Sequence, residues 1–146
     1  MKIFKIIKML SCMSVLITLN ACTTSLRPDD SDKYPFNRKM VEIFGNDVKI
    51  VDSINKSQAQ ISSVDISKGS KKLDEIIILL KKDGWVLKGR GKGIDTYCLN
   101  KNNGINILIA NSAPVIDYQG TVLTPGDLSV NSIVFFYVNS GVNECE

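Results

Sequence analysis

The strongest periodicity in the chain lies in SKKLDEIIILLKKDG, residues 70 to 84. Leu73, Ile76, Ile77 and Leu80 fall at i, i+3, i+4 and i+7, which makes one face of a helix apolar while lysines and acids occupy the rest. Ser70 is a candidate N-cap, Lys81 and Lys82 suit the negative end of the helix dipole, and Gly84 suits a left-handed residue beyond the end. An amphipathic helix needs a second apolar layer to cover it, so the flanking sequence must supply one.

The flanks have strand-like composition and turn punctuation. VKIVDSI (48 to 54) and AQISSVDIS (59 to 67) are separated by Asn55-Lys56-Ser57 and predict a hairpin, with Gly45-Asn46-Asp47 marking a turn before it. After the helix, WVLK (85 to 88), IDTYCLN (94 to 100), INILIAN (105 to 111) and SIVFFYVN (132 to 139) read as strands. Asn102-Asn103-Gly104 is a hairpin-turn signal between two of them. RKMVEIFG (38 to 45) fits a short helix or a strand. The connection over 112 to 130 is long for a bare loop, so a short strand is expected at 115 to 118 or 121 to 123. This order predicts an α+β fold: an antiparallel sheet of about five or six strands with one amphipathic helix packed on a face, a two-layer sandwich.

The N-terminus has a different character. MKIFKIIK carries Lys2, Lys5 and Lys8 and no acid, and the eleven residues MLSCMSVLITL follow it. That is the layout of a secretory n-region and h-region, and the apolar run is about half of the 20 or so residues a membrane span needs. Leu19-Asn20-Ala21-Cys22, which closes the run, resembles the lipobox of bacterial lipoproteins. The resemblance covers residues 1 to 22. It implies cleavage before Cys22, a thioether between its thiol and diacylglycerol, and acylation of its amine. Several acyl chains, each contributing about 0.8 kcal/mol per buried methylene, hold such an anchor firmly. Thr23 follows the cysteine where an Asp tends to mark inner-membrane retention. The implied location is therefore the outer membrane, facing the periplasm.

Removing residues 1 to 21 changes the arithmetic of the chain. The 18 basic residues lose Lys2, Lys5 and Lys8 and become 15, equal to the 15 acids, so the formal charge falls from +3 to zero. Nothing in the bulk charge then favours nucleic acid. Cys12 leaves with the signal and Cys22 is taken by lipid, which leaves Cys98 and Cys145. In an oxidising compartment two remaining cysteines most simply pair. No C-x-x-C spacing is present, so the bond is expected to be structural, pinning the tail to the sheet. TTSLRPDDSDKYPF (23 to 36) is polar, holds two prolines and shows no period. Residues 22 to 37 are read as the lipidated N-terminus and its tether, with a reach of roughly 40 Å, and residues 38 to 146 as a single domain. The DDSD at 29 to 32 lacks the glycine and distal glutamate of a calcium loop, and no metal or cofactor is expected.

The sequence contains no histidine, which removes the usual serine and cysteine triads and most catalytic zinc sites. Ser53-Ile54-Asn55-Lys56 fits S-x-x-K and Ser129-Val130-Asn131 a looser second motif, both known from serine β-lactamases. Serine and lysine are common enough here for about one S-x-x-K by chance, K-T-G is absent, and no catalytic residue is assigned. Lys88-Gly89-Arg90-Gly91-Lys92-Gly93 lacks the strand-to-helix setting of a P-loop and reads as a glycine turn. With Lys81 and Lys82 it defines a candidate basic patch: Lys81, Lys82, Lys88, Arg90 and Lys92. Trp85, Tyr97, Phe135, Phe136 and Tyr137 form either a binding platform or core. Alternation puts Phe135 and Tyr137 on one face of their strand and Phe136 on the other. If both faces are apolar, one needs a cover, and a partner protein is a candidate cover.

The expected function is that of a non-enzymatic, lipid-anchored periplasmic binding protein, joined to the membrane by Cys22 and engaging a protein partner. Two roles fit: an accessory subunit of an envelope machine, or an immunity protein that neutralises a toxin. The alternative is direct binding of an anionic envelope component, lipopolysaccharide or peptidoglycan, through the patch at 81 to 92.

Overall fold

The computed structural model describes residues 32–110, 114–124, 126–139 and 144–146. The signal, Cys22 and the tether through residue 31 lie outside the described residues, as do Asn111 of the third expected strand after the helix and parts of the loops that follow. The elements are α1 (Phe36–Phe44), β1 (Ile50–Asn55), β2 (Ala59–Ser67), α2 (Lys72–Lys82), β3 (Val86–Arg90), β4 (Ile94–Cys98), β5 (Asn103–Leu108), β6 (Val115–Ile116), β7 (Val122–Leu123) and β8 (Val130–Val138). Six strands make one sheet in the order β1-β2-β8-β5-β4-β3, and β6 and β7 pair as a separate ribbon. Every pairing is antiparallel. The α+β fold with a six-stranded antiparallel sheet agrees with expectation, and both candidate short strands in the long connection are present.

Helix α2 ends as its sequence predicts. Gly84 has φ +92°, its N–H donates to Lys81 O, and the Trp85 N–H donates to Leu80 O, a paired closure of the last turn that favours glycine. At the other end the cap position is Lys71, one residue later than expected, yet the Ser70 hydroxyl still accepts the Lys72 N–H at 3.2 Å.

A second helix, α1, occupies the segment left ambiguous above, so two helices cover the sheet instead of one. Phe36, Met40, Ile43 and Phe44 fall at i, i+4, i+7 and i+8. Reading from Arg38 omits Phe36, the residue that opens this stripe. Tyr34 and Phe36 are buried, and Tyr34 N–H donates to the Asn103 side-chain oxygen at 2.9 Å. Asp32 accepts from Tyr137 Oη and Asn102 Nδ2. The fold therefore starts before residue 38, and residues 32 to 37, read above as tether, are part of it because two aromatic side chains gain core contacts there.

The core lies between the helices and one face of the sheet, where Phe36, Met40, Ile76 and Leu80 meet Ile105, Ile107, Ile133 and Phe135. Phe36 stacks on Phe135 with ring centroids 5.1 Å apart, and Tyr34 meets Trp85 edge-on. Trp85, Tyr97, Phe135 and Tyr137 are core residues, not an exposed platform. Asn103 and Gly104 belong to β5 rather than to the turn. The turn lies just before them, where the Asn100 side-chain oxygen accepts the N–H groups of Asn102 and Asn103.

Candidate functional site

Strand register fixes which residues share the face of the sheet turned away from the helices. Three rows cross it. Asp65, Ser132, Leu108 and Ile94 are aligned in the first; Val51, Ser63, Val134, Asn106, Thr96 and Gly89 in the second; Ile54, Ile61, Phe136, Gly104, Cys98 and Val86 in the third. Alternation of side chains carries this pattern on to Val130 at one end and Val138 at the other.

The half of this face on β5, β4 and β3 is covered except at its edge, where Val86 is 68% exposed. Cys98 and Cys145 form a disulfide with a Cα–Cα separation of 5.6 Å, the pairing expected from the sequence. β4 is the penultimate strand, so the bond holds the C-terminus near one margin of the sheet. Glu144 beside it accepts a hydrogen bond from Asn106 Nδ2, and Asn106 Oδ1 accepts from the Thr96 hydroxyl at 2.8 Å. Tyr118 Oη, from the β6–β7 ribbon, donates to Glu144 O. The ribbon can lie this close because Gly89 and Gly91 have no side chain: a β-carbon on either would overlap the Tyr118 ring or the backbone of Ile116 and Asp117. These glycines thus serve close approach, while Gly93, with φ +78°, forms the turn. The sequence signal for this packing was present in the glycine spacing, but its partner in the long loop could not be identified from the chain alone.

The half on β1, β2 and β8 is different. Val51 is 46% exposed and Ile54 38% exposed, and Ile61, Val134, Phe136 and Val138 are half-buried. No described element packs over them. Phe136 lies across Gly104, whose missing side chain leaves room for its ring. Three strands by three rows, those of Val51, Ile54 and Val138, make a largely apolar field of about 300 Å², from the spacing of strands and of same-face residues. A field of that size is comparable to the largest apolar patch of a typical monomer, which is often functional.

At the end of the open field farthest from Asp32 lies a cavity of about 280 Å³. Leu108, Val115 and Val130 give it apolar walls, and Asp65, Ser132 and Asp127 supply its polar groups. The Ser132 hydroxyl donates to Asp65 Oδ1 at 2.6 Å, and the Ser129 N–H donates to Asp127 Oδ1 at 2.7 Å. The bonds from Ser129 hold the Asp127 carboxyl below its ordinary range, with Lys68 contributing at longer range. Among the described residues neither acid forms a salt bridge, and their hydrogen bonds come from neutral serine groups, Ser132 on Asp65 and Ser129 on Asp127.

The basic residues are not gathered into one patch. Lys81 and Lys82 close α2 at the start of β3, whereas Lys92 follows its other end, about 20 Å away by strand rise. Lys88 donates to the C-terminal carbonyl of Glu146 at 3.0 Å, and Arg90 pairs with Asp95 at 3.6 Å. β3 is an edge strand with a bulge between Leu87 and Gly89. Charges and bulges on an edge discourage pairing with other chains, which accounts for Lys88 and Arg90 without a ligand. Ser53 lies on the exposed edge strand β1 and Lys56 in the turn after it, a strand setting that differs from the helical turn joining serine and lysine in the enzymes that use S-x-x-K. No described helix is long and apolar enough to cross a membrane.

The chain matches no family model, no curated protein and no solved structure with which it was compared.

Proposed function

We propose that this is a lipid-anchored envelope protein, held by Cys22 to the periplasmic face of the outer membrane, that binds a protein partner through the open half of its sheet. The observation that carries the reading is the field of Val51, Ile54, Ile61, Val134, Phe136 and Val138, which no described element covers. The partner is either an envelope assembly for which this chain is an accessory subunit, or a toxin it neutralises. A field of about 300 Å² is smaller than the roughly 800 Å² per partner of a standard interface, so it forms the centre of a larger footprint with a polar rim.

A photo-crosslinking residue at Val134, in cells, tests the face. A discrete crosslinked species that is lost with Phe136→Lys supports it, and crosslinking equal to that from Ile78 on α2 counts against it. Radioactive palmitate, with Cys22→Ser as control, tests the anchor; equal labelling of both chains eliminates it.

The alternative, direct binding of lipopolysaccharide or peptidoglycan through Lys81, Lys82, Lys88, Arg90 and Lys92, requires a ligand long enough to span β3. It predicts that binding falls steeply with salt and is abolished by neutralising Lys88, Arg90 and Lys92; binding unchanged in 0.5 M salt excludes it.

A further inference from the structure

An apolar field of about 300 Å² is well under half of the roughly 800 Å² per partner that a standard interface covers. A specific complex on this face therefore needs an anchor beyond apolar contact, and the cavity beside the field has suitable chemistry. The first row of the back face joins the two regions: Asp65 and Ser132 line the cavity, and Val134 and Ser63 lie one row along the same strands.

We infer that the partner presents a lysine or arginine within an apolar segment, its basic head seated between Asp65 and Asp127 and its apolar neighbours on Val134, Phe136 and Ile61. This deepens the protein-partner reading and rests on it. Charge complementarity selects the occupant. Among the described residues each carboxylate is hydrogen-bonded only by neutral serine groups, and neither forms a salt bridge. The walls given by Leu108, Val115 and Val130 suit the methylene stem of a long basic side chain, which keeps its charged end near water while burying its stem. About 280 Å³ is ample for one such side chain and too little for a folded element. An acidic partner would face two like charges here, and a purely apolar one would leave both carboxylates desolvated without compensation. Lys68, whose field reaches Asp127, does not line the cavity.

The test uses the exported, lipidated chain in detergent micelles and three capped tripeptides, Ile-Lys-Ile, Ile-norleucine-Ile and Ile-Glu-Ile, with binding followed by NMR shifts of Asp65, Leu108 and Ser132. The lysine peptide is expected to bind saturably, at least tenfold more tightly than the norleucine peptide, with no binding of the glutamate peptide. Asp65→Asn with Asp127→Asn should remove the tenfold preference while leaving the amide spectrum elsewhere unchanged. Equal binding of the lysine and norleucine peptides, or a preference that survives the double substitution, overturns the inference. The crosslink from Val134 separates the two levels. If a partner is captured and Asp65→Lys leaves its yield unchanged, the basic-segment inference fails while the partner reading stands. If no partner is captured while the lysine peptide binds with the expected preference, the partner reading fails, and with it the inference as a statement about a partner; the cavity is then a site for small basic ligands.

Discussion

Asn103 shows how a single polar residue can be read wrongly from its neighbours. In Asn-Asn-Gly it looks like a turn residue, yet it is fully buried; its side chain accepts the Tyr34 N–H and donates to Asp32 O and to Asn100 Oδ1. It ties the entering segment to β5. Asn103→Ala leaves buried partners unsatisfied and is expected to cost about 2 to 3 kcal/mol, read as a lower urea midpoint; an unchanged midpoint would contradict the assigned bonds. Gly104 is next to it, and Gly104→Ala drives a methyl group into the Phe136 ring. The expected loss is about 1 to 3 kcal/mol, and Phe136→Leu in the same chain should recover part of it. The carboxylates set the pH response. Hydrogen bonds hold Asp32, Asp52 and Asp83 below their ordinary value of 3.8: Asn102 foremost for the first, the Ser62 hydroxyl for the second, Tyr34 Oη for the third, each against a contrary effect of burial. Groups whose folded pKa is depressed stabilise the fold above the unfolded pKa, and that contribution is lost as pH falls through the folded value. Stability should be flat from pH 7 to about 5 and decline below about 4, less steeply in Asp52→Asn. A midpoint that rises on acidification would contradict this.

Among the elements, legibility followed the length of the period. α2 and β2 were readable because each repeats its pattern over nine or more residues. α1 was not, because its stripe begins at Phe36, immediately after a proline in a segment whose composition is that of a linker. The β6–β7 ribbon was only half readable, since two-residue strands carry no period and depend on Gly89 and Gly91 far away in sequence. The basic residues were read as a patch from their closeness in sequence, but a strand places consecutive charges along an edge rather than together. For the open face, alternation in SIVFFYVN gave the two-sided apolar character of β8, and only the sheet order revealed which half lacked a cover. The C-terminal tail also has a measurable role. The disulfide joins residues 47 apart, and replacing both cysteines by serine should cost about 4 kcal/mol on the chain-entropy model. Hydrogen exchange should then quicken in β3 and β4 and around Tyr118, where the tail and the ribbon hold each other. Unchanged exchange there would show that the ribbon keeps its place without the tail.

At the scale of the whole molecule the sheet has one face filled by helices, one half-face packed against the disulfide-bound tail and the ribbon except at its edge, and one largely apolar half-face that no described element covers. β8, the last strand in sequence, sits between β2 and β5, so the closed and open halves meet along one strand and are built as a unit. The segment leading toward Cys22 enters at Asp32, at one end of the sheet, while the cavity of Asp65 and Asp127 lies at the other. A tether at that first end would leave the cavity end pointing away from the membrane, where a partner in the periplasm can reach it. The most direct measurement is site-specific photo-crosslinking in intact cells with the probe at Val134 on the open face and, in a second chain, at Ile78 on the exposed side of α2. One discrete partner, captured from Val134, absent from Ile78 and lost with Phe136→Lys in a chain of unchanged stability, is the expected result. Capture of the same species from both positions, or from neither, would contradict a partner-binding role for this face.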